Sequence, residues 1–119
     1  MRYEILIYNN VECEAAITGE LKEEFENAHG TIIRELTESG ELIETNELSM
    51  EAAVVVRADR RTPHRVHTTD GPFIESKEWV GGFYLVDCAS LDRAVEIAGR
   101  FVEARFSPVE VRQLVHGPR

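Results

Sequence analysis

The chain has 119 residues, of which 43% are apolar and 29% charged, and its 13 Lys and Arg against 22 Asp and Glu give a net charge of -9. This length and composition predict one globular domain over residues 1–119. The acidic excess disfavours binding to nucleic-acid phosphates, and the apolar runs are much shorter than the roughly 20 residues of a membrane helix. We therefore expect no nucleic-acid partner and no membrane partner.

The first residues enter a strand pattern directly, without the charged leader, apolar segment and cleavage site of a secretory signal. Cys13 and Cys88 have no closely spaced Cys or His partner, which predicts two free structural thiols. Since thiols stay reduced in the cytoplasm, both observations predict a cytoplasmic protein.

The first half of the chain has the pattern of a strand followed by a helix. Residues Tyr3 to Tyr8 are apolar at both alternating positions, which predicts a strand covered on both faces. After an acidic connection, apolar residues recur at spacings of three and four, which predicts an amphipathic helix with Thr18 as its N-cap and Gly40 at its end. The stripe of this helix consists of Leu21, Phe25, Ala28, Ile32 and Leu36.

The second half contains strands, a hairpin and one more helix. Gly81 and Gly82 precede a strand, where a glycine pair allows a β-bulge or the close approach of another backbone. The predicted elements are a short, edge-like strand over Glu41–Leu48, a hairpin of Ala52–Ala58 and Arg65–Thr69, a strand over Phe83–Cys88, a helix capped by Ser90 with a stripe running to Val102, and a final strand over Val109–Val115.

This order of elements predicts an α+β fold, a ferredoxin-like sandwich with an extra β-hairpin. Two helices cover one face of the sheet, whereas the strands are apolar on both faces. Because an exposed apolar sheet face is costly, we expect a homodimer that buries sheet against sheet.

His29 is the first candidate for chemistry, and it lies at the edge of the apolar stripe of the first helix. A partly buried structural histidine is the interpretation that spacing alone favours. The alternative is a general base, because imidazole changes charge near neutral pH. Asp70 could orient that imidazole, or it could simply build the turn that Asp70, Gly71 and Pro72 predict. Metal coordination is not predicted.

Two further groups of polar residues are candidates for ligand binding. If the chain is extended there, Glu75 and Lys77 face the same side. They then either pair with each other or with Glu78, or form the wall of a polar pocket. Arg65 and His67 belong to a basic cluster that is either a solvated hairpin or a surface that attracts an anionic ligand. The cluster consists of Arg57, Arg60, Arg61, His64, Arg65 and His67. No glycine-rich phosphate loop or nucleophile motif is present, so we expect no cofactor.

The segment Asp70-Gly71-Pro72-Phe73, followed by Glu75, Lys77-Glu78 and Gly82-Phe83-Tyr84, closely resembles the signature of the YCII-related family, also called DGPF. The resemblance runs from the first strand to Glu110-Val111-Arg112. It implies a dimeric α+β barrel whose sheets pair around a cavity. It also implies a histidine in the first helix with an acid nearby, a position that His29 matches.

Two functions follow as hypotheses. The first is a cofactor-free enzyme in which His29, supported by Asp70, transfers a proton on a small anionic or phenolic molecule. The family resemblance implies relatives of the muconolactone isomerase and dehydrochlorinase kinds, hence isomerisation or elimination. The second is a non-catalytic module that binds a small molecule or a protein, since family members are found joined to or near sigma-factor-like proteins. A dimer whose cavity is only packing also remains open.

Overall fold

The computed structural model describes residues 1–62, 64–72 and 77–116. The described chain has an α+β architecture, as the sequence predicts. In chain order the elements are β1 (Arg2–Asn9), α1 (Val11–Thr18), α2 (Lys22–Ser39), β2 (Leu42–Glu47), β3 (Val54–Ala58), β4 (Val66–Asp70), β5 (Trp79–Asp87), α3 (Leu91–Ala98), a 3-10 turn (Val102–Arg105) and β6 (Val109–Gln113). In the described ranges, no helix combines the length and apolar character needed to cross a bilayer.

The main sheet has four antiparallel strands in the order β2-β5-β1-β6. The central strand β1 pairs Ile5 with Tyr84 of β5 on one side and with Val111 of β6 on the other. The strand β2 lies at an edge, as predicted for this segment. This arrangement is compatible with a ferredoxin-like α+β fold.

The core lies between one face of the main sheet and the helices. Residues at alternate positions of β1 are buried, because successive side chains of a strand point to opposite faces. The buried core contains Tyr3, Ile5 and Ile7 of β1, Ile32 and Leu36 of α2, Tyr84 and Val86 of β5, and Ala94, Ile97 and Ala98 of α3. The opposite face of the sheet carries Leu6, which is paired with Phe83, and also Leu85. Helices α2 and α3 therefore cover the face of the sheet that carries Ile5 and Tyr84.

The predicted start of the first helix at Thr18 is wrong. The segment read as an acidic connection forms α1, whose N-cap Asn10 accepts a hydrogen bond from the backbone N–H of Cys13 at 2.8 Å. Thr18 ends this helix, and α2 begins at Lys22 without a side-chain cap. The predicted end at Gly40 is confirmed, since Gly40 has φ 79°, a conformation that glycine adopts easily.

The last helix is shorter than its apolar stripe predicts. Its N-cap is Ser90, as predicted, and the Ser90 hydroxyl accepts a hydrogen bond from the backbone N–H of Arg93 at 3.2 Å. The helix ends at Ala98, however, and Phe101 has an extended backbone with φ -74° and ψ 137°. The following 3-10 turn holds Glu103 in a buried position.

The hairpin of β3 and β4 is confirmed, with Val54 opposite Asp70 and Ala58 opposite Val66. These two strands form a sheet of their own, separate from the main sheet. The radius of gyration is 16.3 Å, against about 13.5 Å for a compact domain of this length. The hairpin therefore extends the molecule beyond its core.

Candidate functional site

A cavity of about 500 Å³ lies at one end of the main sheet. Its walls come from α1, α2 and the ends of β1, β2 and β5 that meet there, and Glu103 of the 3-10 turn completes it. Ile7, Ile17 and Phe25 make part of the wall apolar, whereas His29 and Tyr84 bring polar groups into it. A concave site with apolar walls and a few converging polar groups is typical of small-molecule binding.

The glycine pair lies inside β5, which begins at Trp79, and not before the strand as the sequence predicts. It allows this end of the sheet to close tightly. A Cβ on Gly82 would lie 3.0 Å from the backbone oxygen of Asn46, and a Cβ on Gly81 would lie 3.3 Å from the Cβ of Asn9. The register of β1 against β5 also shifts between Ile7 and Tyr8. Both of the features that a glycine pair allows, a β-bulge and a close backbone approach, are therefore present.

His29 is held by contacts on both nitrogens and around its ring. Its Nδ1 lies 2.7 Å from the hydroxyl oxygen of Tyr84, and its Nε2 lies 2.9 Å from Oε2 of Glu103. The imidazole stacks on Phe101 with centroids 5.0 Å apart and meets the ring of Phe25 edge-on at 4.9 Å. The orientation of the imidazole is therefore fixed by packing as well as by hydrogen bonds.

The burial of Glu103 determines how protons are arranged in this cluster. Glu103 is only 6% exposed, and a buried carboxylate requires a partner, which Nε2–H of His29 supplies. With Nε2 protonated, Nδ1 of the neutral ring is an acceptor for the hydroxyl of Tyr84. Burial is the main cause that raises the pKa of Tyr84 to about 12, and a hydrogen bond with Thr45 opposes the shift. Tyr84 therefore keeps its proton at neutral pH, and its hydroxyl donates a hydrogen bond to Nδ1 of His29.

The mouth of the cavity is acidic. Glu14, Glu26 and Glu47 line the cavity, and the exposed pair Glu26 and Glu47 defines its mouth. Glu14 accepts a hydrogen bond from Nδ2 of Asn9 at 2.6 Å. Among the described residues that line the cavity, none is Lys or Arg. The electrostatic potential of this wall therefore disfavours an anion unless positive charge comes from elsewhere.

The structure separates the two residues that were expected to act together. His29 lines the cavity, whereas Asp70 ends β4 on the hairpin, where it is exposed. The carboxylate that contacts His29 belongs to Glu103. Gly71, which follows Asp70, has φ 97°, a positive value that glycine adopts easily, and its N–H donates to the carbonyl oxygen of Ala53 at 2.7 Å.

Of the four residues expected to bind a ligand, the three that the structure describes do not line this cavity. Arg65 and His67 are exposed on the hairpin. Lys77 is also exposed, and Glu75 lies outside the described residues. In the same ranges, no group of three His, Cys, Asp or Glu side chains could hold a metal ion.

Sequence reasoning missed Glu103 and did not assign Tyr84 a polar role. Glu103 stands directly after two apolar residues, Phe101 and Val102, and an acid in such a segment is a signal for a buried carboxylate. Tyr84 lies at the buried alternate position of β5, where a phenol group usually finds a hydrogen-bond partner. With α3 ending at Ala98, and not at Val102, these two signals point to the contacts of Glu103 and Tyr84 with His29.

The fold and the cavity define a small α+β domain with a histidine, a tyrosine and a buried glutamate gathered at one end of its sheet. Residues 1–116 match the model of the YCII-related domain, and the chain belongs to this family. A protein of Rhizobium meliloti (strain 1021), described as uncharacterised, is 35% identical over 98 residues, which cover 82% of this chain and 77% of the relative.

Proposed function

We propose that this protein is a cofactor-free enzyme that transfers a proton on a small molecule bound in the cavity, with His29 as the base. The observation that carries this proposal is the placement of the imidazole between the carboxylate of Glu103 at 2.9 Å and the hydroxyl of Tyr84 at 2.7 Å, at the wall of the cavity. Glu103 takes the supporting role that the sequence suggested for Asp70. It fixes the tautomer of the ring and stabilises the imidazolium that forms.

In the proposed step, a carbon acid such as an enolisable ketone loses a proton to Nδ1 of His29. The C–H bond breaks, the N–H bond forms, and the electron pair moves to the carbonyl oxygen as an enolate. For this to happen, the hydroxyl of Tyr84 must first leave the lone pair of Nδ1, and it then donates its hydrogen bond to the carbonyl oxygen on which the charge develops. Return of the proton to a different carbon gives an isomerisation, and departure of a leaving group gives an elimination.

The walls favour a neutral ligand with a ring or short apolar body and one oxygen. Phe25, Ile17 and Ile33 supply apolar surface, and Tyr84 supplies a donor for an oxygen atom. A phenol or an enolisable ketone satisfies both requirements. An anionic substrate would also need a positive charge to offset the acidic mouth.

The proposed enzyme is a homodimer, in the manner of a dimeric α+β barrel. Leu6, Phe83 and Leu85 lie on the sheet face opposite the helices. Burial of apolar surface stabilises association by about 25 cal/mol for each Å², so a second sheet is a favourable cover for these side chains.

A non-catalytic binding module is the second candidate. Both ring nitrogens of His29 are already engaged, and Tyr84 is only 2% exposed, so the cluster needs rearrangement before it can act on a ligand. In this alternative, the cavity binds a small molecule and the cluster only shapes its wall.

Deuterium exchange at the α-carbon of small enolisable ketones, followed by NMR in D₂O, tests the proposal. We expect exchange catalysed by the protein to fall at least about a hundredfold in His29→Gln, as for loss of a general base. His116→Gln, a change at an exposed histidine outside the cavity, is the control and should leave exchange unchanged. Equal exchange in His29→Gln and the native protein would contradict the catalytic role. Ketone binding without exchange in the native protein would favour the second candidate.

A further inference from the structure

The hairpin of β3 and β4, called the arm from here on, presents an apolar face to solvent. Val54, Val56 and Val66 are 56%, 60% and 55% exposed. They share one face of the arm, since Val54 and Val56 alternate along β3 and Val66 is paired with Ala58. A two-stranded hairpin is only marginally stable alone in water, so this face needs a cover.

The arm and the rest of the chain carry opposite charges. From Val54 to Asp70 there are four Arg against two Asp, whereas the remaining residues include nine Lys or Arg against twenty Asp or Glu. Arg60 and Arg61 lie at the tip of the arm and are exposed. The arm is therefore attracted to the acidic surface of another copy of the chain.

The acidic mouth of the cavity is the surface that fits the arm best. Glu26 and Glu47 are exposed there, and none of the described residues that line the cavity is Lys or Arg. The mouth also lies beside the apolar wall of the cavity, which includes Phe25 and Ile17. A basic tip on an apolar hairpin matches both properties.

We propose that the arm of one copy docks on the cavity mouth of a second copy, so that Arg60 and Arg61 of each chain contact Glu26 and Glu47 of its partner. Two-fold symmetry then gives two equivalent contacts. The partner's arm covers the cavity and adds the positive charge that the described cavity wall lacks. The completed site accepts an anionic group on its ligand. This inference rests on the proposed dimer but not on the proton-transfer step.

Charge reversal with rescue tests the docking. In one variant, Arg60→Glu and Arg61→Glu reverse the arm, and in another, Glu26→Lys and Glu47→Lys reverse the mouth. We expect each to raise the dimer dissociation constant roughly tenfold in sedimentation equilibrium, because each dimer loses its contacts twice. In the chain with all four changes, an acidic arm faces a basic mouth, so the contacts are again between opposite charges and most of the native dimer affinity should return.

A control variant separates a specific contact from a general charge effect. Arg34→Glu with Arg100→Glu makes the same change in net charge at exposed positions outside the arm, the cavity and the sheet face, and should leave the dissociation constant unchanged. The docking is overturned if the arm reversal leaves the dissociation constant as unchanged as this control does. It is also overturned if the chain with all four changes dimerises no more tightly than either reversal, or if the native protein is a monomer at every concentration. If Leu85→Glu dissociates the dimer but arm reversal leaves the dissociation constant unchanged, the sheet interface is supported and the arm contact is overturned.

A small organic cation tests whether the mouth is open instead. In the docked dimer, we expect benzylammonium to shift the amide signals of Glu26 and Glu47 only weakly, and to bind at least about fivefold more tightly to the arm reversal. Equal affinity for both proteins would show that the mouth faces solvent and would overturn the docking.

Discussion

Nε2 of His29 lies 2.9 Å from Oε2 of Glu103, across 74 positions of sequence. The contact joins α2 to the 3-10 turn that follows α3. It therefore depends on the packing of both helices on the same face of the sheet, and the site exists only in the complete fold.

Replacement of Glu103 tests this contact directly. We expect Glu103→Gln to lower the free energy of unfolding by about 1–3 kcal/mol, because a charged acceptor is replaced by a weaker neutral one at a buried site. The ¹⁵N shifts of the imidazole should also change as the tautomers redistribute. Glu38→Gln, at an exposed position outside the cavity, is the control, and unchanged imidazole shifts in Glu103→Gln would refute the contact.

Tyr84 predicts a loss of stability at alkaline pH. Its pKa is raised from 10.0 to about 12, chiefly by burial. Between these values the unfolded chain releases the phenol proton while the folded chain keeps it, so stability is intact below pH 10 and falls as the pH approaches 12. In Tyr84→Phe, the decline between pH 10 and 11.5 in urea unfolding should be shallower than in the native protein. An equal slope would show that another group causes it.

The pair of Glu41 and Arg93 ties the start of β2 to α3. Hydrogen bonds of 2.9 and 3.0 Å from Arg93 lower the pKa of Glu41, against the effect of burial. This stability is present above the ordinary value of 4.5 and is lost as the pH falls through the lowered value. Glu41→Gln should therefore destabilise the protein by about 1 kcal/mol at pH 7 and by less at pH 3. Glu96→Gln, at an exposed contact of the same arginine, should have a smaller effect at pH 7.

Replacing Gly82 or Gly30 by alanine should change the stability of the protein in opposite directions. Gly82→Ala places a Cβ 3.0 Å from the backbone oxygen of Asn46 and should destabilise the protein by about 1–3 kcal/mol. Gly30 lies inside α2 with no atom within 4 Å of an added Cβ, so Gly30→Ala should stabilise the protein by about 0.5–1 kcal/mol. Thermal unfolding of both variants checks the two signs, and a neutral Gly82→Ala would contradict the close approach of β2 to β5.

The proposed dimer interface between two main sheets can be tested by measuring the molar mass of the protein in solution. Light scattering at micromolar concentration should give about twice the chain mass of 13.5 kDa. Leu85→Glu places a charge on the sheet face and should give a monomer. Val95→Glu, on an exposed position of α3, should remain a dimer. A monomeric native protein would remove the basis for the interface.

Much of the fold can be predicted from local signals in the sequence. The strand alternation of Tyr3 to Tyr8, the cap at Ser90 and the stop at Gly40 each depend on residues within a few positions of one another, and the structure contains all three. The sequence also contained a signal for α1, since Asn10 is a good N-cap and acids follow it in the first turn. Only Cys13 and Ile17 of this helix are buried, so its apolar stripe is too short to be recognised.

The site was predictable in part. His29 was identified from its helix position, but its carboxylate partner depends on where α3 ends and how the next turn packs. Asp70 was favoured because a turn motif and a family signature surround it. Neither the turn motif nor the family signature says how far Asp70 lies from His29 in the fold. Asp70 belongs to the separate sheet of the hairpin and does not line the cavity that His29 lines.

The two outer strands of the main sheet affect how copies of this protein can assemble. Exposed backbone edges of β2 and β6 could pair with strands of other chains, as in amyloid growth. Glu44 and Glu47 on β2 and Arg112 on β6 are exposed charges at these edges. Adding an identical β2 beside β2 would bring like charges together, which opposes fibril growth by edge addition. We therefore expect concentrated samples to stay free of thioflavin-positive aggregates at neutral pH.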